Sequence, residues 1–65
     1  MPETIVEFLT RIQIPFATEY ADAFAARGVD DIRVLRSLSG WHLMEHGMIN
    51  LQHRRAVLAA LAVEP

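Results

Sequence analysis

Three short stretches of this 65-residue chain have the residue types and spacing for chemistry. The first is His42-Leu43-Met44-Glu45-His46, which spells H-x-x-E-H, the inverted zinc-peptidase signature. Two histidines four residues apart share one helix face and can hold zinc. A catalytic zinc also needs a third protein ligand and a substrate cleft. The only carboxylate downstream is Glu64, at the chain end, and the helix between Ser39 and Gly47 has room for barely two turns. The motif therefore reads as a chance occurrence. The other two stretches are an acidic pair, Asp30-Asp31, and a basic pair, Arg54-Arg55. Ser37 and Ser39 read as turn and cap residues, because a serine hydroxyl competes well for nearby backbone groups. No nucleophile–base pairing or glycine-rich phosphate loop accompanies them. The segment is expected to be neither an enzyme nor a cofactor binder.

Length and composition narrow the remaining classes. Sixty-five residues make one domain, and a chain of this size buries only about 60% of its unfolded surface. A hydrophobic fraction of 52% supplies a core and leaves apolar residues for a sticky surface. With no cysteine there is no disulfide framework and no thiolate metal site, which points to an intracellular, cytoplasmic setting. No apolar run approaches the roughly 20 residues of a membrane span, and no signal-peptide pattern opens the chain. The Met1-Pro2 start and the Glu64-Pro65 end read as those of a domain excised from a longer protein. A net charge of −2 lacks the basic footprint of a phosphate-binding surface. All six cations are arginine, whose flat fork suits carboxylates at an interface.

The elements that must position these residues are all helical. Thr4-Ile5-Val6-Glu7 is a capping box, and the helix behind it carries Ile5, Phe8, Leu9 and Ile12 on one side. Pro15 forces an extended Gln13-Ile14 link and suits the first position of a second helix. That helix carries Phe16, Tyr20, Ala23 and Phe24 and ends at Gly28, a natural left-handed cap. Asp30 is placed to cap a short third helix with Ile32, Val34 and Leu35, and Ser39 a fourth that stops at Gly47. Asn50 opens the last and longest helix, with Leu51, Val57, Leu58 and Leu61 facing inward. Short connections then give a compact five-helix bundle.

Taken together, Phe8-Leu9 with Ile12, Tyr20 with Phe24, Gly28-Val29-Asp30-Asp31, Leu35, Leu38-Ser39, Leu43, Gly47-Met48, His53-Arg54 and Val57-Leu58 form a pattern. In that order they resemble the sterile alpha motif (SAM) domain family over essentially the whole chain. The chain departs from the family in two places. Its first connection, between Ile12 and Tyr20, is about one helical turn longer. It also has Gly40-Trp41-His42 where the family usually carries acidic residues.

The resemblance implies an all-α, SAM-like bundle that associates with itself or with another SAM domain, head to tail and in some cases as a polymer. A mid-loop face on one copy meets an end-helix face on the next. Carried over by position, the mid-loop face comprises Val29, Asp30, Asp31 and Glu45, and the end-helix face Gln52, His53, Arg54 and Arg55. The physics is consistent with that pairing. A helix N-terminus already carries about half a positive charge, so Arg54 and Arg55 build an electropositive knob complementary to two aspartates. Placing cations there opposes the helix dipole by about 0.3–1 kcal/mol each, a cost that use of the charge would explain. The family histidine at position 53 tends to pack at the base of the last helix, and that role is favoured here over direct binding. Trp41 has two readings: an exposed anchor that joins the mid-loop set, or a filler folded back against the first connection. RNA-hairpin binding, as in the Smaug-like branch, would rest on Arg11, Arg54 and Arg55. A structural or autoinhibitory domain without its own partner is the blander alternative. No small-molecule substrate and no membrane insertion are expected.

Overall fold

In the computed structural model, which describes residues 3–63, the chain forms five helices. They are α1 (Ile5–Arg11), α2 (Ala17–Ala25), α3 (Ile32–Arg36), α4 (Gly40–Glu45) and α5 (Leu51–Val63). No strand occurs among the described residues. Met1-Pro2 and Glu64-Pro65, which bear the excised-domain reading, lie outside them, as does the carboxylate of Glu64.

Helix starts follow from side-chain caps. The Thr4 hydroxyl accepts the Glu7 amide at 3.1 Å while the Glu7 carboxylate accepts the Thr4 amide at 2.9 Å. Ser39 caps α4 in the same reciprocal way, with His42 Nδ1 accepting the Ser39 amide at 3.3 Å. Asn50 opens α5, its Oδ1 accepting the His53 amide at 3.1 Å. Two expected starts are displaced. The cap of α3 is Asp31 rather than Asp30, with Oδ1 accepting the Val34 amide at 3.1 Å. Val29 is held in the core by its backbone, so Asp30 arrives one residue too early to cap. α2 begins at Ala17 rather than Pro15, because Phe16 takes a left-handed conformation (φ 60°) between them.

Three helix ends share one device. Gln13, Gly28 and Gly47 are left-handed, at φ 64°, 86° and 113°. The amide of the next residue then reaches back five positions: Ile14 to Leu9, Val29 to Phe24 and Met48 to Leu43, each at 2.9 Å. This is the long hydrogen bond of a Schellman motif, which is commonly accompanied by an apolar contact across it. Here all six residues of the three pairs are buried. The extended Gln13-Ile14 link is thus corrected: the chain must turn left-handed at Gln13 for the Ile14 amide to close α1.

α1 packs on α2 and α3, and α4 packs on α5. The buried set is wholly apolar, with Phe8, Phe24, Leu35, Leu43, Met48 and Val57 fully enclosed. A radius of gyration of 10.3 Å is close to the roughly 11 Å expected for a folded chain of this length, so no element stands away from the core. Glu3 and Arg11 close the outer side of α1 through two parallel bonds of 2.8 and 2.9 Å. That guanidinium lowers the Glu3 carboxyl below its ordinary value. Leu51 does not face inward and is 50% exposed. Six residues of helix separate it from Val57, which turns it roughly 120° away from the buried face.

The helix ends set up a test in thermal or urea unfolding. Gly28→Ala should lose about 1–2 kcal/mol, since an added Cβ meets nothing within 4 Å and only the positive φ opposes it. Gly47→Ala should lose more, because its Cβ would also press on the Ala23 Cβ at 3.3 Å. Gln13→Gly should instead gain about 0.5–1 kcal/mol.

Candidate functional site

The acidic pair is divided between two jobs. Asp31 is half-buried and engaged as the α3 cap, whereas Asp30 is exposed with no hydrogen bond or ion pair among the described residues. Val29 beside it is a core residue. Asp30 and Asp22 border a shallow depression of about 200 Å³ floored by Ile5, Val6, Ala21 and Val29.

The basic pair is divided in the same way. The Arg54 guanidinium donates to the carbonyls of Met48, at 3.1 Å, and Ile49. It ties the loop before α5 to that helix, and charge-assisted bonds of this kind are about twice as strong as neutral ones. Arg55 is exposed and has no such partner among the described residues. Gln52 is exposed in the first turn of α5 and Glu45 at the end of α4.

His53 turns away from both arginines. Its Nδ1 shares a 2.7 Å hydrogen bond with the Tyr20 hydroxyl, and the two rings meet edge to face. Tyr20 in turn stacks on Phe24, so His53 links α5 to the core through α2. The histidines of the H-x-x-E-H stretch have different surroundings. His42 Nδ1 belongs to the Ser39 cap, and the Nδ1 of His46 is buried without a partner among the described residues. No group of three metal-ligating side chains occurs among the described residues.

Trp41 does not fold back on the first connection. It is 64% exposed and lines a groove of about 400 Å³ between α4 and α5, together with Met44, Leu51, Leu58, Arg54 and Arg55. The structure thus brings Trp41 beside the two arginines, while Asp30 lines the other depression. Sequence reasoning missed Met44, Leu51 and Leu58 as groove residues. The signal was available as spacing: 41 and 44 share a face of one helix, and 51, 55 and 58 a face of the next.

The two divisions of labour are separable by stability measurements. Asp31→Ala should destabilise the fold by about 0.5–2 kcal/mol through its lost cap. Arg54→Ala should cost about 1.5–3 kcal/mol. Asp30→Ala and Arg55→Ala should stay within about 0.5 kcal/mol of the wild type in the same denaturant titration.

Comparison with curated proteins and with solved structures returned no match. The family model described as SAM domain (Sterile alpha motif) matches residues 2–63. With the all-helical fold ending in its longest helix, that match places the chain in the sterile alpha motif domain family, whose members are generally protein-interaction modules.

Proposed function

We propose that this domain associates head to tail with SAM domains, its own copies included, through an acidic face at Asp30 and a basic face at Arg55. The observation that carries this reading is the split within each charged pair. Asp31 and Arg54 are engaged in the fold, while Asp30 and Arg55 are exposed and unpaired among the described residues. Two unpaired charges of opposite sign on one domain suit steering between copies more than they suit stability.

Size allows two such faces. A standard interface takes about 800 Å² from each partner, and the domain exposes 4333 Å². A face that meets a different face is heterologous, so the contact repeats into an open array unless a ring closes. A cytoplasmic setting belongs to the same proposal, since a chain without cysteine has no thiol to oxidise. No helix among the described residues is long and apolar enough to cross a membrane.

RNA binding is the weaker reading on structural grounds. Of its three arginines, Arg11 is held by Glu3 and Arg54 by backbone carbonyls, which leaves Arg55 as the exposed cation without a partner. One such charge is a poor match for a phosphate backbone.

Sedimentation velocity over a wide concentration range tests the proposal. The wild type should gain mass with concentration, and less so at high salt. Arg55→Glu and Asp30→Arg should each lower association by about tenfold or more, and a mixture of the two should recover it. Neither substitution touches a capping bond, and circular dichroism of each variant separates lost association from lost fold. Wild-type association that neither variant weakens would refute these faces, and a wild type that stays monomeric would refute self-association.

A further inference from the structure

The groove between α4 and α5 leaves apolar surface in water. Trp41 is 64% and Leu51 50% exposed along it, and Met44 and Leu58 complete the apolar lining. Two guanidinium groups border it, one held by carbonyls (Arg54) and one free of partners among the described residues (Arg55). An apolar trough beside a fixed and a free cation is complementary to a bulky apolar side chain that stands next to carboxylates.

Beside its carboxylates the Asp30 face of a second copy exposes Val6, a short side chain only 36% exposed, rather than a bulky one. Val29 is in the core there and Ile32 is half-buried. Asp22 and Asp30 border a depression of about 200 Å³ rather than a ridge. Two concave surfaces brought together leave the groove unfilled, whatever their charges contribute.

We infer that the groove is a docking site for a convex, acidic segment of a different protein, in which an aromatic or long aliphatic side chain lies between carboxylates. This rests on the Arg55 face being a recognition surface and specifies the chemistry that the face prefers. The apolar side chain enters between Trp41 and Leu58, and its flanking carboxylates reach Arg55 and the unused N–H groups of Arg54. Charge alone would accept any acidic surface, so the filled groove is what separates a foreign partner from a second copy.

Trp41 is the only tryptophan of the chain, so its emission reports directly on the groove. The probe is a blocked peptide, Asp-Glu-Phe-Asp-Glu, titrated into the domain and compared with versions carrying Ala for Phe or Lys for every acid. The expected result is a saturable shift of Trp41 emission to shorter wavelength with the first peptide. The dissociation constant should rise about tenfold or more on replacing Phe by Ala or on introducing Arg55→Glu, with circular dichroism confirming that the variant is folded. An equal response to the alanine or lysine peptide, or none at millimolar concentration, would overturn the inference and leave self-association, measured by sedimentation, intact. Emission that shifts with the concentration of the domain alone would place a second copy in the groove. That outcome would overturn the inference while supporting head-to-tail association.

Discussion

The five-back hydrogen bond that closes α1, α2 and α4 is the constraint on which the rest of the fold depends. Each of these helices is short, between six and nine residues, and none of that length is stable alone. The bond from Ile14, Val29 or Met48 stops the helix and places that residue in the core in one step. It also requires a left-handed residue just before it, which glycine supplies twice and glutamine once. The direction of every following segment is then set. The turn at Gly28 delivers Asp30 and Asp31, and the turn at Gly47 delivers the start of α5. Both candidate faces are therefore consequences of helix termination.

That origin explains why each charged pair contains one structural and one exposed member. Each pair lies at a helix start, where open backbone groups need partners. Asp31 is that partner for α3, and Arg54 is the partner of the carbonyls before α5. The sequence neighbours Asp30 and Arg55 point elsewhere and keep their charge available to solvent. The apparent cost of placing cations against the α5 dipole is offset at Arg54 by its two backbone bonds. Arg55, one residue beyond the first turn of α5, lies outside the reach of that cost and stays exposed.

Much of this architecture was legible in the sequence because it is local. The Thr4–Glu7 box, the Ser39 and Asn50 caps, and the glycines at 28 and 47 each act within five residues of themselves. The errors arose where a distant contact decided a local choice. Gln13 is left-handed because Ile14 must reach the core, and no rule for glutamine predicts that. Asp31 displaced Asp30 as a cap because Val29 was already committed to packing. Leu51 reads as inward by its type, yet the inward face of α5 is set by Val57 and by the His53–Tyr20 bond across to α2. The groove lay beyond reach for the same reason. Its spacing is visible on each helix separately, but only the packing of α4 on α5 joins the two stripes.

A groove built on that packing ties recognition to stability. α4 has six residues and packs chiefly on α5, so the two helices share one apolar seam, part of which is left open at Trp41 and Leu51. Filling the seam with a foreign side chain would bury surface on both helices at once. Any ligand that binds only the folded form stabilises it by mass action, by about 2.7 kcal/mol at a hundredfold excess over its dissociation constant. For a chain this short that is a large share of a total that seldom exceeds a few kcal/mol. Arg54 strengthens the connection, because the same guanidinium that borders the groove also fastens the loop entering α5. A side chain bound in the groove would therefore act, through Arg54, on the same loop that orders the start of α5.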